Sequence, residues 1–144
     1  MVKRILAPIG ENDRNEEIVP VVSALAQGAG STVRLIRVFP VPESVVDSNG
    51  HTVVYGHQEM ERLTSEGLAD LARVQAQLEG IPVESVVRFG EPVEEILLEA
   101  DAFDADLIAL EAPRPGRLLG ALAPDVAARL AMKARVPTLT LRAA

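Results

Sequence analysis

The sequence predicts an α/β protein, a single doubly wound domain whose parallel sheet carries helices on both faces. Short and almost continuously apolar segments alternate with amphipathic helical patterns along the whole chain. Apolar strands of this kind are typical of parallel sheets that are buried on both sides. The length of 144 residues suits one domain over 1–144, and no internal repeat is present. Right-handed crossovers between the strands then lead to a small doubly wound fold.

Five strands are predicted, at 4–9, 32–39, 83–89, 106–111 and 136–141, with one helix in each interval. The first helix starts at a capping-box pattern over 13–16 and stops at Gly28–Gly30, and we expect Pro20 to kink it or to limit it locally. The second covers 57–78 and carries one apolar stripe at three- and four-residue steps. Pro92 suits the first position of the third helix, and the fourth covers 125–134. A polar loop around Ser48-Asn49-Gly50 is predicted over 43–56, and its tip is the part most prone to disorder.

Composition excludes several classes of function. The net charge of −7 disfavours non-specific binding to nucleic acid and to anionic membranes, since both require a basic surface. The absence of cysteine excludes disulfides, thiolate metal sites and thiol catalysis. The first apolar run is interrupted by Pro8 and Gly10 and is too short for a signal-peptide core or a membrane span, so we expect a cytoplasmic protein. Aromatic residues amount to only 3%, which predicts an aliphatic core.

Four segments carry a family resemblance, at 3–9, 89–97, 105–110 and 136–141. In this order and spacing they resemble the universal stress protein family, over essentially the whole chain. The resemblance implies an adenine nucleotide alpha-hydrolase-like fold with five strands in the order 3-2-1-4-5. It also implies a homodimer that is often formed by pairing the last strands of two subunits.

The last predicted strand gives an independent reason to expect dimerisation. As an edge strand it would expose unpaired amides and carbonyls, which invite pairing with another chain. Pro137 removes one donor and would partly blunt this edge. The residues expected at the dimer edge are Val136, Thr138 and Thr140.

Many members of the resembled family bind ATP, with an acidic residue after the first strand and the pattern G-x2-G-x9-G-[S/T] after the fourth. Glycines let backbone amides approach phosphates, and a small hydroxyl residue opens a helix whose amino end attracts anions. In this chain Glu111 and Arg114 occupy the first two glycine positions, and Pro124-Asp125 occupy the final pair. The acidic position falls on Gly10. The resemblance therefore implies a degenerate site.

The substituted residues suggest what the site does instead. We expect Asp125 to cap its own helix and Glu111 to repel a phosphate. Arg114 and Arg117 either hold an anion through their side chains or remain solvated loop charges, with Glu111 as a surface ion-pair partner. By resemblance, the residues lining the ligand crevice are Pro8, Ile9, Gly10, Val38, Glu111, Arg114, Gly116, Arg117 and Asp125.

The sequence contains no recognisable catalytic constellation and no nucleophile elbow or Walker-type loop. His51 and His57 lack a third convergent ligand, so no metal site is expected. The adjacent pair Glu94-Glu95 is interpreted as a solvated helix face. The sequence thus predicts a non-enzymatic, dimeric stress-response or interaction protein without a cofactor. The alternative is a nucleotide-binding or slowly ATP-hydrolysing switch that uses Arg114 and Arg117 on the phosphates, and an enzyme acting on another small ligand in the crevice stays open.

Overall fold

The fold was analysed in a computed structural model that describes residues 2–10, 17–43, 45–112 and 124–142. Seven strands and four helices follow one another within these ranges. They are β1 (Arg4–Pro8), α1 (Ile18–Ala29), β2 (Thr32–Phe39), β3 (Val45–Val46), β4 (Thr52–Val54), α2 (Gly56–Gln75), β5 (Val83–Phe89), α3 (Pro92–Phe103), β6 (Leu107–Ala112), α4 (Pro124–Lys133) and β7 (Thr138–Arg142).

The five longer strands form one parallel sheet in the order β5-β2-β1-β6-β7. Counted over these five strands, this is the predicted order 3-2-1-4-5, so the predicted fold class and topology are confirmed. The strand order reverses between β1 and β6, both of which lie inside the sheet. In an open parallel sheet, the crevice beyond the carboxyl ends of strands at such a reversal is the usual place for a ligand.

The helices cover the two faces of the sheet in pairs. Residues of α1 and α2 pack in one cluster with Ile5, Ala7 and Leu35, and residues of α3 and α4 pack in a second cluster with Leu6 and Ile108. Because side chains of a strand alternate between faces, neighbouring strand residues enter different clusters. Both clusters are largely aliphatic, as the composition predicts.

Helix α1 differs from its prediction at the amino end. It begins at Ile18, so Pro20 lies in its first turn, where a missing amide costs no helical hydrogen bond. The predicted kink is therefore wrong. The capping-box residues 13–16 lie outside the described residues. The predicted stop is confirmed, because Gly30 adopts a left-handed conformation with φ of 68° and its amide bonds to the Ala26 carbonyl.

The predicted polar loop after β2 is a short antiparallel hairpin in the structure. Strands β3 and β4 pair across a turn in which one carboxylate oxygen of Asp47 accepts hydrogen bonds from the amides of Asn49 and His51, at 2.9 and 2.8 Å. Two valine-rich segments on either side of an Asn-Gly turn are the sequence signal for this hairpin. The predicted polar loop therefore contains two short strands that the prediction did not include.

Strand β7 lies at an open edge of the sheet, as predicted, but it begins two residues later than predicted. Val136 and Pro137 precede the strand, while Thr138 and Thr140 lie within it, opposite Ile108 and Leu110 of β6. Pro137 therefore does not blunt the edge, because its missing amide lies outside the strand. Its carbonyl accepts a hydrogen bond from the Ile108 amide at 3.0 Å. Within the described ranges, no helix has the length and apolar character needed to span a bilayer.

Candidate functional site

The crevice at the carboxyl edge of the sheet brings part of the predicted set together. Pro8 ends β1 and pairs with Ile36 of β2, and Ile9 and Gly10 follow directly. The amide of Ile9 donates to the carbonyl of Ile36 at 2.9 Å, which extends the pairing beyond the end of β1. Ile9 is buried, and Gly10 and Val38 are half-buried. These residues are buried or half-buried at the carboxyl ends of β1 and β2, as expected of apolar strand ends.

Glu111 has a different role from the one predicted. Its side chain is only 8% exposed, and one carboxylate oxygen accepts a hydrogen bond from the amide of Ile18 at 3.1 Å. Ile18 opens α1, where the first amides have no partner within the helix and the macrodipole favours a negative charge. Glu111 therefore supplies a carboxylate to the amino end of α1 from a distant strand. Glu111 is buried and does not lie at the surface, and its predicted pairing with Arg114 or Arg117 stays a prediction because both arginines lie outside the described residues.

Asp125 lies on the other face of the sheet from Glu111, in the first turn of α4. It is exposed, and its carboxylate lies 3.9 Å from the guanidinium of Arg129, one turn further along the helix. The helix dipole favours a carboxylate in the first turn, as predicted. Asp125 is the second residue of the helix, however, so it does not occupy the predicted cap position. Arg114, Gly116 and Arg117 lie outside the described residues.

Arg129 belongs to a charged group that the sequence analysis missed. One of its guanidinium nitrogens donates to a carboxylate oxygen of Glu91 at 2.9 Å. Glu91 also caps α3 by accepting from the Glu94 amide at 2.8 Å. The Glu94 amide and, secondarily, the Arg129 guanidinium hold the pKa of the Glu91 carboxyl below its usual value. The amino end of α3 thus has an internal carboxylate, with Pro92 at the first helical position as predicted.

A second basic residue at this edge also escaped prediction. Arg37, in β2, is only 5% exposed and donates to Asp70 of α2 at 3.1 Å, with a longer contact of 3.5 Å to the carbonyl of Gly10. Its guanidinium lies 4.6 Å from the centre of the Phe39 ring. An arginine within an apolar strand was the sequence signal for this ion pair, because a buried charge requires a partner of opposite sign.

The structure also shows the surroundings of the glutamate pair and of the histidines that were weighed as acid–base or metal-binding residues. Glu95 is not part of a solvated face, because its carboxylate pairs with Arg88 at 3.3 Å and the side chain is 16% exposed. His51 is exposed and lies 3.7 Å from Asp47. Within the described residues, no group of three or more potential metal ligands is found.

Fold and crevice together define a doubly wound α/β protein with its candidate ligand site at the carboxyl edge. The model of the universal stress protein family matches residues 1–142, and the chain belongs to this family. No curated protein sequence is significantly similar to this chain.

Several solved structures share the fold. The hypothetical protein MJ0577 has a TM-score of 0.76 at 21% identity, over 100% of this chain and 98% of its own. A universal stress protein family member from Burkholderia pseudomallei has a TM-score of 0.73 at 20% identity, with 99% and 97% covered. A universal stress protein in complex with cAMP has a TM-score of 0.66 at 17% identity, with 97% of each chain covered.

Proposed function

We propose that this protein is a non-enzymatic, dimeric stress-response or interaction protein of the cytoplasm that does not bind ATP in the usual mode of its family. The observation that carries this proposal is Glu111. Family resemblance aligns this position with the first glycine of the phosphate-binding pattern, and here a buried carboxylate accepts a hydrogen bond from the α1 amide of Ile18. A carboxylate is negatively charged like a phosphate, so Glu111 at the end of β6 repels a phosphate that enters the crevice.

The neighbouring groups support the same conclusion. Helix α3 has the carboxylate of Glu91 at its amino end, and α4 has Asp125 in its first turn. Arg129 is paired with Glu91 and lies near Asp125, so its charge is already balanced. Pro124 lacks the amide that a backbone phosphate contact would need.

Isothermal titration calorimetry with Mg-ATP tests the proposal directly. We expect no binding tighter than about 1 mM, which corresponds to about −4 kcal/mol. The universal stress protein whose structure contains cAMP, titrated with cAMP, is the positive control for the measurement. A micromolar dissociation constant for Mg-ATP would contradict the proposal.

The alternative is a nucleotide-binding or slowly ATP-hydrolysing switch that holds the phosphates with Arg114 and Arg117. The observation that favours it is the similarity to a structure determined in complex with cAMP. Mass spectrometry of nucleotide released from the denatured protein distinguishes the two functions. A stoichiometric nucleotide that disappears in an Arg114→Gln/Arg117→Gln double variant would establish the alternative, and its absence would support the main proposal.

A further inference from the structure

A second cleft lies at the opposite edge of the sheet from the carboxyl-edge crevice. It opens between the carboxyl end of α3 and the turn that joins α4 to β7, and it has a volume of about 420 Å³. This amino-edge cleft shares no lining residue with the carboxyl-edge crevice described above. Its size falls within the range of about 300–1,000 Å³ that is typical of small-molecule sites.

One wall of the amino-edge cleft is acidic. It carries Asp101 and Asp104 from the end of α3, and both side chains are exposed. Asp104 ends the helix in a left-handed conformation with φ of 56°, and its only described ion-pair partner is the exposed Arg4 at 3.7 Å. Such a surface ion pair contributes little to the free energy of folding. The carboxyl end of α3 adds a partial negative charge to the same wall.

The facing wall is basic. It carries Lys133 and Arg135, which are both exposed and have no ion-pair or hydrogen-bond partner among the described side chains. Among the described ion pairs, none joins either residue to Asp101 or Asp104. Two acids and two bases thus line one cleft without a described ion pair between them. A ligand that carries both charges would pair with both kinds of group at once.

The floor between the two walls is apolar. Ile108 at the start of β6 is completely buried, and Ala100 and Ala105 are at most 7% exposed. Val136 is half-buried and completes the floor from the turn before β7. Leu97 and Val136 are the half-buried residues whose apolar surface an aliphatic group would cover, and removing that surface from water favours binding.

We propose that the amino-edge cleft binds a small zwitterionic molecule with an aliphatic body, of the class of the apolar amino acids. The ammonium group lies against Asp101 and Asp104, the carboxylate lies against Lys133 and Arg135, and the aliphatic part covers the floor. A simple anion would be repelled by the acidic wall, and a simple cation would be repelled by the basic wall. This proposal does not depend on whether the carboxyl-edge crevice binds a nucleotide.

The test is an NMR titration of the ¹⁵N-labelled protein with L-leucine. Two matched probes keep the same aliphatic body but lack one charge each, 3-methylbutylamine without the carboxylate and 4-methylpentanoate without the ammonium. We expect saturable shifts in 97–108 and 133–136 with leucine, at a dissociation constant of about 1 mM or tighter. Each analogue should bind at least about tenfold more weakly, because one charge-assisted interaction is lost.

Two variants test whether leucine binds in the amino-edge cleft. Arg135→Gln and Asp101→Asn should each weaken leucine binding about two- to fivefold, as for the loss of one exposed charge pair, while the spectrum stays dispersed as in the native protein. Arg142→Gln, which removes an exposed charge at the other end of β7, should bind leucine like the native chain and serves as the control. The proposal is overturned if leucine gives no saturable shifts in these segments, if all three probes bind equally well, or if neither cleft variant weakens binding.

Discussion

Glu99 in α3 illustrates how a single residue can connect three elements. Its side chain is 4% exposed, and its two carboxylate oxygens contact Arg34 of β2 at 2.6 Å and Arg88 of β5 at 3.0 Å. Arg34 also lies 4.2 Å from the centre of the Phe103 ring and pairs with Glu84, and Arg88 also pairs with Glu95. A buried carboxylate is tolerated here because two cations compensate its desolvation.

We predict that Glu99→Gln lowers the free energy of unfolding by about 2–3 kcal/mol. Removing one partner of a buried ion pair typically costs about 3–5 kcal/mol, and the cost is smaller here because each arginine keeps a second carboxylate. Urea denaturation at neutral pH measures the difference. Glu61→Gln, on the exposed side of α2, should change the stability by less than about 0.5 kcal/mol. Equal stabilities of the two variants would contradict the role assigned to Glu99.

The carboxyl group of Asp106 makes the stability of the folded protein depend on pH. Its carboxylate accepts from the amides of Lys3 and Arg4 at 2.8 and 2.9 Å, and these bonds hold the pKa of the carboxyl below its usual value. A group with a lowered folded-state pKa stabilises the protein above its unfolded-state pKa of about 3.9. This contribution is lost as the pH falls through the folded-state pKa.

Asp106→Asn should therefore be less stable than the native protein at pH 7. The difference should shrink as the pH is lowered below about 4, because the native carboxyl then also becomes neutral. Urea titrations at several pH values check this, with Glu61→Gln on the exposed side of α2 as the control. A difference that stays constant down to the lowest pH would show that the charge of Asp106 is not responsible.

At the scale of elements, α2 packs closely on the sheet because of one glycine. A Cβ atom at Gly67 would lie 2.9 Å from Phe39 and 3.0 Å from Val87, closer than ordinary van der Waals contact allows. The helix can approach β2 and β5 this closely only without a side chain at that position. The sequence showed Gly67 within the apolar stripe of the helix but did not show what it faces.

We predict that Gly67→Ala destabilises the protein by about 1–2 kcal/mol. Overpacking of a core typically costs about 1–3 kcal/mol, and the better helix propensity of alanine returns up to about 1 kcal/mol. Gly28→Ala in α1 is the matched control, since a Cβ atom there meets nothing within 4 Å. It should stabilise by about 0.5–1 kcal/mol. Thermal denaturation of both variants tests the prediction, which fails if Gly67→Ala is also stabilising.

At the scale of the whole molecule, the open edge at β7 is the natural place for the proposed dimer. The Pro137 carbonyl accepts from β6, so by the alternation of a parallel ladder the amides of Leu139 and Leu141 face β6. The amides of Thr138 and Thr140 then point away from the sheet. These groups are available to the last strand of a second copy.

We predict that Thr140→Pro converts the dimer to a monomer, because proline removes an outward-facing donor while the bonds to β6 remain. Thr140→Val keeps the amide and should stay dimeric. Light scattering at micromolar concentration measures the mass of each. A native protein that is already monomeric, or a Thr140→Pro variant that remains dimeric with native circular dichroism, would contradict pairing through this edge.

The sequence alone determined the alternation of strands and helices and the two-sided burial, because apolar periodicity and the turn residues around Gly30 and Pro92 are local signals. The strand order and the family followed from the resemblance of four segments to universal stress proteins. The sequence did not determine the partners of Glu99, Glu111 and Arg37, which are distant in the chain and meet only when the sheet forms. Glu111 is the clearest case, since its position at the end of a strand suggested only that it would repel a phosphate. The tertiary structure instead placed its carboxylate on the α1 amide of Ile18, because a buried charge takes the nearest group that can compensate its lost hydration.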